Sequence, residues 1–424
     1  MTKKDAEKKP AESAGGEAME KKKSRLSSST SMIGKSATLE IAAKAKAMNE
    51  RGLNVVSFSA GEPDFDTPRR IKEAAKKAID LGFTKYTDSS GIKELKTAIR
   101  QKFLRENNLH YEEANIAVTP GAKYGIYAIL QSIVSPGDEV VIPVPYWVSY
   151  VSMVKLSRGV PVFCHPREDH GFRLTLEDLK PVITDKTRAV IINTPNNPTG
   201  AVYRVHDLEE IVNYLAEREI YVISDEIYER LTYDTNAHVS AASVVSEKLR
   251  RNVIVVNGFS KSYAMTGWRI GYVAGPRDVM DRAKHFLDHT TSNTNTITQH
   301  AAIEALGGPQ TDVEQMVSKF DRRRRFIYEE VSKIPHLKCI KPDGAFYLFV
   351  NFQKYLGGML GDHKINSTIE LAGLLLDEAK IAVVPGEAFG APGYIRFSYA
   401  TSLDNIAEGL ESMKHLLSEI SFSE

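Results

Sequence analysis

The sequence predicts an α/β protein, with a mostly parallel sheet wrapped by helices and a smaller α+β domain towards the C-terminus. Three observations carry that expectation. From about Ile41 onward, short apolar runs with strand character alternate with longer stretches of helical periodicity. Several of the apolar runs stop abruptly at polar residues or Gly/Pro turns. After Gln310 the alternation gives way to one long helical stretch and then to a mixed pattern.

The strands of the alternating region are Glu139–Pro143, Ala189–Asn193, Tyr221–Ser224, Asn252–Val256 and Ile270–Ala274. Helical periodicity separates them, over Ile92–Asn107, Ala122–Val134, Leu208–Arg218 and Val279–Leu287. In such sheets ligands bind where the loops gather, at the carboxyl ends of the strands. Asn193, Asp225 and Lys261 fall at that end. The long helix Gln310–Lys333 leads out of this region. Beyond it come a strand Phe346–Phe352, a helix Thr368–Ala379, strands near Ile381–Val384 and Tyr394–Ser398, and a last helix from Leu403.

At 424 residues the chain has room for about two packed regions. Its 42% hydrophobic and 26% charged residues describe a globular protein, and its net charge of +1 offers no field to steer DNA, RNA or an anionic membrane. Two cysteines, Cys164 and Cys339, imply neither a disulfide framework nor a cysteine-rich metal site. No apolar run approaches the roughly 20 residues that span a bilayer. The first thirty residues are rich in Lys, Glu, Ser and Ala and read as a disordered tail. That tail lacks the apolar centre of a secretory signal, and Asp5, Glu7, Glu12, Glu17 and Glu20 are unlike an organellar presequence. The expected location is the cytoplasm.

The densest chemical signal is Ser260-Lys261-Ser262-Tyr263-Ala264-Met265-Thr266-Gly267-Trp268-Arg269. A lysine at the end of a buried strand can lose its proton and attack an aldehyde, forming a Schiff base. An arginine beside it can grip a phosphate at two points. Together they point to pyridoxal phosphate. Thr119-Pro120-Gly121-Ala122-Lys123 opens a helix whose free N–H groups suit that phosphate, although many helices begin so. Thr194-Pro195-Asn196-Asn197-Pro198-Thr199-Gly200 reads by itself as a Pro/Asn turn. Asp225 is costly at a buried strand end unless paired; a pyridine nitrogen would serve, or the residue caps a helix. Tyr228, three residues on, can reach the ring's 3-oxygen. Arg396 stands in the apolar strand Tyr394–Ser398 and requires an anion, either a substrate carboxylate or a structural Asp or Glu.

These segments occur together with Ser59-Ala60-Gly61-Glu62-Pro63-Asp64-Phe65, Pro145-Tyr146-Trp147 and Gly344-Ala345-Phe346-Tyr347. With them, the chain from about Ser36 to Leu417 resembles a class I (fold-type I) pyridoxal-phosphate aminotransferase. The resemblance implies that Lys261 carries the cofactor and shuttles the substrate proton. It places Asp225 at the pyridine nitrogen, Tyr228 and Asn197 at the 3-oxygen, and Trp147 over the ring. Arg269, Ser260 and the amides of Gly121, Ala122 and Lys123 would bind phosphate. Arg396 and the Gly61 N–H would hold the substrate α-carboxylate. Tyr86 would reach a neighbouring subunit's phosphate, implying a homodimer with shared sites. The chain would then divide into the tail 1–30, an arm with part of the small domain 31–70, a large cofactor-binding domain 71–319 and a small domain 320–424.

Within the family the chain is similar to bacterial aspartate aminotransferases, including prephenate-transaminating members, and to plant prephenate aminotransferases. Lys123 stands where those enzymes hold a distal carboxylate, although it could instead only neutralise phosphate. Thr38 matches a threonine associated with prephenate. The segment Thr290–Asn295 falls where a partner lines the side-chain pocket and lacks the arginine of animal-type enzymes. Expected substrates are amino acids and 2-oxo acids, with aspartate, 2-oxoglutarate and prephenate foremost. Broader aromatic or alanine specificity and a pyridoxal-phosphate lyase are the alternatives. Arg322-Arg323-Arg324-Arg325 reads as a solvated helix face, His285 and His289 as helix-surface residues, and Gly34-Lys35-Ser36 as no phosphate loop because Ser29 replaces its first glycine. No metal site is expected.

Overall fold

The computed structural model describes residues 26–422. The expectation of disorder for residues 1–25 lies outside them. Within the rest of the supposed tail the expectation needs correcting, because Ser28–Ser31 forms a helical turn capped by the Ser27 hydroxyl.

A seven-stranded sheet forms the centre of the larger region. Its spatial order is Ile116–Thr119, Gly271–Ala274, Val253–Gly258, Tyr221–Asp225, Thr187–Asn193, Glu139–Pro143 and Val160–Cys164. All neighbours run parallel except Gly271–Ala274, which is antiparallel to both of its partners. Helices cover both faces, so the central strands are apolar on both sides. Val140, Ile142, Ile254 and Val256 join one core cluster with Ile126 and Ile129, while Val141, Val253 and Val255 join the other with Ile99 and Phe103. Successive side chains of a strand point to opposite faces, which is why one run feeds both cores.

Two strands of this sheet had no counterpart in the sequence reading. Ile116–Thr119 is only four residues long, and Val160–Cys164 is an edge strand that exposes Val160 and Phe163 and contains Pro161. The first is too short to stand out as a run, and in the second Pro161 interrupts the strand signal. Elsewhere the boundaries move by a few residues, to Thr187–Asn193, Tyr221–Asp225, Val253–Gly258, Val205–Ala216, Arg277–Thr290 and Thr311–Ser332.

The C-terminal part builds a four-stranded antiparallel sheet ordered Val384–Pro385, Tyr394–Ser398, Tyr347–Asn351 and Lys338–Cys339. The expected strand Ile381–Val384 is divided. Ile381–Ala382 pairs in parallel with Val56–Ser57, which ties the N-terminal arm to this sheet's neighbourhood, and Val384–Pro385 joins Tyr394–Ser398.

Of the four arginines from 322 to 325, Arg322 and Arg325 are exposed as expected, but Arg324 and Arg323 turn inward. Arg324 is fully buried and donates to Asp321, Asp234 and the Pro342 carbonyl, while Arg323 forks onto Asp64. A run of like charges hid the inward position, because helical periodicity was masked by four identical residues. His285 and His289 are exposed on their helix.

Candidate active site

Strand register brings the first polar groups together. Asn193 and Asp225 end adjacent parallel strands and lie opposite one another. The Asn193 amide donates to the Asp225 backbone carbonyl at 2.9 Å and accepts from the Asn197 N–H at 2.9 Å. The turn after Asn193 is thereby locked to the strand that carries Asp225. The Asp225 carboxylate is 3% exposed, accepts from the Tyr150 hydroxyl at 2.6 Å and from the Ile227 N–H at 3.3 Å. Burial pushes its pKa up to about 6, against the lowering effect of the Tyr150 bond. Turns rather than a helix follow Asp225, so the helix-cap alternative does not apply.

Lys261 lies three residues beyond the strand Val253–Gly258 and donates to the Gly61 carbonyl. Burial lowers its pKa to about 8, with Glu62 opposing that shift and Arg396 reinforcing it. The Tyr228 hydroxyl meets the Tyr347 hydroxyl at 2.9 Å, and the Arg396 guanidinium sits 4.4 Å from the Tyr347 ring centre. Arg396, 2% exposed, donates to Asn197 Oδ1 at 2.9 Å and to the Ser59 carbonyl at 3.0 Å, while its Nε has no acceptor. Among the described residues no Asp or Glu forms an ion pair with Arg396. A buried cation held only by neutral acceptors leaves room for an external anion.

The other end of the site is built for a second anion. Gly121 has φ +84°, and a Cβ there would stand 2.6 Å from a guanidinium nitrogen of Arg269, so only glycine lets that arginine close over the turn. The helix Ala122–Ile133 starts at this point, and the N–H groups of Ala122 and Lys123 have no acceptor among the described residues. Arg269 itself has φ +52° and donates to the Thr266 carbonyl at 2.8 Å. The Lys123 ammonium lies 5.0 Å from the centre of the Trp147 ring, and burial together with the nearby Arg269 charge lowers its pKa.

These groups surround a cavity of about 470 Å³. Thr38, Gly61, Ala122, Lys123, Trp147 and Asn197 line it, as do Asp225, Tyr228, Ser260, Lys261, Arg269 and Arg396. Gly121 backs it through Arg269. Tyr86 is not part of it, being 90% exposed on the surface. Asn193, expected at the ligand-binding end, lines the cavity too, as do Tyr150, Tyr347 and Glu62, which had no role in the sequence reading. Tyr150 stands three residues after Trp147, the i, i+3 spacing that places both on one side of a helical turn; this was the available signal. A buried cluster of Glu226, Glu229 and His238 lies nearby, its ligand atoms within 4.8 Å of one another. The buried Lys102 ammonium already pairs with Glu229, and Ser224, Ser240, His238 and the Ala241 N–H bond to Glu226. This is a structural charge network.

The donor set fits pyridoxal phosphate. Lys261 supplies an amine with lowered proton affinity, Asp225 a buried carboxylate that forms no ion pair among the described residues, and the Gly121 turn with Arg269 a phosphate cradle. Such a site at the carboxyl ends of a mostly parallel sheet defines a fold-type I pyridoxal-phosphate enzyme. The family described as "Aminotransferase class I and II" matches residues 54–413, and the chain belongs to that family. It is similar to an aspartate aminotransferase of Bacillus sp. (strain YM-2), 48% identical over 89% of this chain and 95% of that protein. It is likewise similar to a probable aspartate/prephenate aminotransferase of Aquifex aeolicus (strain VF5), 45% identical over 93% of this chain and 99% of the other. The crystal structure of an aspartate aminotransferase from Rhizobium meliloti superposes with a TM-score of 0.90 at 40% identity, covering 94% of this chain and all 100% of that one. The protein is a pyridoxal-phosphate-dependent aminotransferase that exchanges an amino group between an amino acid and a 2-oxo acid.

Proposed function

We propose that the preferred exchange is between aspartate and 2-oxoglutarate, with prephenate as a further acceptor. The observation that carries this reading is a pair of cationic side chains lining one cavity. Arg396, without an acidic partner among the described residues, suits the α-carboxylate, and Lys123, beside Trp147, suits a second carboxylate. A dicarboxylic amino acid or oxo acid bridges both. The names of the Bacillus and Aquifex relatives support it. Ser36, Thr38, Leu39 and Ala42 from the helix Ala37–Glu50 and its cap line the same cavity, and Leu39 and Ala42 favour ring-bearing acceptors such as prephenate or aromatic oxo acids.

When bound, pyridoxal phosphate supplies a pyridinium ring that spreads the charge left when the substrate Cα loses its proton. The chain's residues set up that event. Asp225 holds its carboxylate ready for the ring nitrogen, with Tyr150 and the Ile227 N–H orienting the two oxygens. Tyr228 and Asn197 are placed for the 3-oxygen, and Trp147 covers the ring. Ser260, Arg269 and the free amides of Ala122 and Lys123 would hold the phosphate, whereas the Gly121 N–H, expected to join them, donates to the Thr119 carbonyl at 2.7 Å. Arg396 and the Gly61 N–H fix the α-carboxylate, which aims the Cα proton at Lys261. With its pKa near 8, the Lys261 amine is a competent base close to neutral pH.

The exposed Tyr86 and the loop Thr290–Asn295 are proposed to complete the phosphate site and side-chain pocket of a second subunit in a homodimer. No helix among the described residues is long and apolar enough to cross a membrane, and a cytoplasmic location is proposed. The division near residues 70 and 319 is likewise proposed as the domain boundary. A donor–acceptor panel tests the substrate reading, with aspartate and glutamate set against oxaloacetate, 2-oxoglutarate, prephenate and phenylpyruvate. Highest kcat/KM for the dicarboxylic pairs is expected; a preference for phenylpyruvate over all of them would overturn it.

A further inference from the structure

The segment from Ser59 to Thr67 is irregular, and among the described residues none of its backbone N–H groups donates a hydrogen bond. Yet it touches two anchors of the site directly and a third through Thr266. The Ser59 carbonyl accepts from Arg396, the Gly61 carbonyl accepts from Lys261, and the Glu62 carboxylate accepts from the Thr266 hydroxyl at 2.6 Å. Thr266 in turn holds Arg269 through its carbonyl. A stretch without ladder bonds cannot place carbonyls to within a few tenths of an ångström by backbone structure alone. Its position must come from side chains.

At its far end the Thr67 hydroxyl donates to the Ala264 carbonyl at 2.7 Å and accepts from the Trp268 indole N–H at 3.0 Å; nearer the site, a two-point restraint lies outside the cavity. Asp64 receives both arms of Arg323, Nη1 to Oδ1 at 2.7 Å and Nη2 to Oδ2 at 2.8 Å. The fork is partly shielded, with the arginine side chain 11% and the aspartate 31% exposed. Phe65 adds a second contact, its ring set edge-on to Phe320 at 5.2 Å, with the Arg323 guanidinium 5.0 Å from the Phe65 ring centre. Arg323 and Phe320 both belong to the helix Thr311–Ser332. Neither Asp64 nor Arg323 lines the cavity.

We propose that Arg323 is a positioning residue for the substrate site: through its two-point bond to Asp64 it holds the segment from Ser59 to Phe65 in register with Arg396 and Lys261. The proposal rests on the reading of Arg396 as the α-carboxylate clamp. A planar fork fixes both the direction and the distance of its partner, which a lysine ammonium does not. Loss of the fork releases the segment, so Arg396 loses the carbonyl that orients it and the Gly61 N–H drifts from the carboxylate. Small misplacements of binding groups far from the chemistry have large effects.

The test uses the holoenzyme with Asp64→Asn, Arg323→Gln, Arg323→Lys and the double variant Asp64→Asn/Arg323→Gln. Succinate, an unreactive dicarboxylate, is titrated by its effect on the cofactor absorbance, alongside steady-state kinetics with aspartate. Each single variant is expected to raise KM and the succinate Kd roughly tenfold with little change in kcat, Arg323→Lys recovering part of the loss. The double variant is expected to be no worse than either single one, because both remove the same link. Asp64→Asn is nearly isosteric at a partly exposed position and guards against an effect of misfolding. Values of KM and Kd within about twofold of the parent, or losses that multiply in the double variant, overturn the proposal. Arg396→Lys serves as the control: succinate affinity unchanged there sinks the clamp reading, and with it the route by which Arg323 is argued to act.

Discussion

The Tyr150 hydroxyl donates a 2.6 Å hydrogen bond to Oδ2 of Asp225, and both groups are buried in the floor of the cavity. Burial favours the neutral acid, while this bond and the Ile227 N–H favour the carboxylate. The outcome, a pKa of about 6, leaves Asp225 ionised at neutral pH by a narrow margin. Tyr150 therefore bears on whether Asp225 can keep a pyridine nitrogen protonated. Its ring also packs edge-on against Trp147 at 5.3 Å, so one side chain serves the carboxylate and the aromatic cover together.

Replacing Tyr150 by Phe keeps the ring packing and removes only the donor. A hydrogen bond to a charged group is worth about 1.5–3 kcal/mol, or about one to two pKa units. The acid limb of kcat/KM is expected to move to higher pH by about one unit. The same displacement is expected in the pH profile of cofactor absorbance. An unmoved limb would show that Tyr150 does not tune Asp225.

Lys261→Ala is expected to abolish the yellow, borohydride-reducible adduct and to reduce transamination by several orders of magnitude. Cofactor binding through Arg269 and the Gly121 turn should persist in weaker form, read by equilibrium dialysis. A reducible chromophore that survives in the variant would locate the imine elsewhere.

Arg396→Ala removes a buried cation whose bonds to Asn197 and Ser59 hold it in place. Loss of a charge-assisted contact of about 2–3 kcal/mol predicts a rise of roughly 30- to 150-fold in KM for all amino acids alike. Lys123→Ala differs in kind. It is expected to weaken dicarboxylic donors and acceptors more than monocarboxylic ones, and equal losses would confine Lys123 to the phosphate.

The cofactor-free protein carries a pH signature. The pKa of Asp225 is raised from 3.8 to about 6, so between those values the folded state binds more protons than the unfolded chain and stability falls as pH rises. That of Lys261 is lowered from 10.5 to about 8, so between about 8 and 10.5 the unfolded chain binds more protons and stability rises with pH. Urea unfolding across pH, compared with Asp225→Asn and Lys261→Met, should show the first slope vanish in one variant and the second in the other.

Much of this arrangement was legible before any coordinates. Periodicity located the helices and most central strands because a sheet covered on both faces demands unbroken apolar runs. The chemistry-bearing residues were legible because each stands at a strand end or turn where its residue type would otherwise be costly, as with Asp225 and Arg396. Val160–Cys164 was not legible, since an edge strand is half exposed, and Arg324 was hidden by its own neighbours.

The sequence by itself determined the fold class, the imine-forming lysine, the phosphate arginine and the family resemblance, all of which follow from local residue order. Only the tertiary structure decided that Arg396 has no acidic partner among the described residues, that Tyr150 bonds to Asp225 and that Asp64 forks with Arg323. Those pairs are separated by 75 and 259 positions in the chain. Spacing along a chain encodes contacts within a helix or strand, but long-range partners are chosen by packing. Packing also set the burial that moves the pKa values of Lys261 and Asp225.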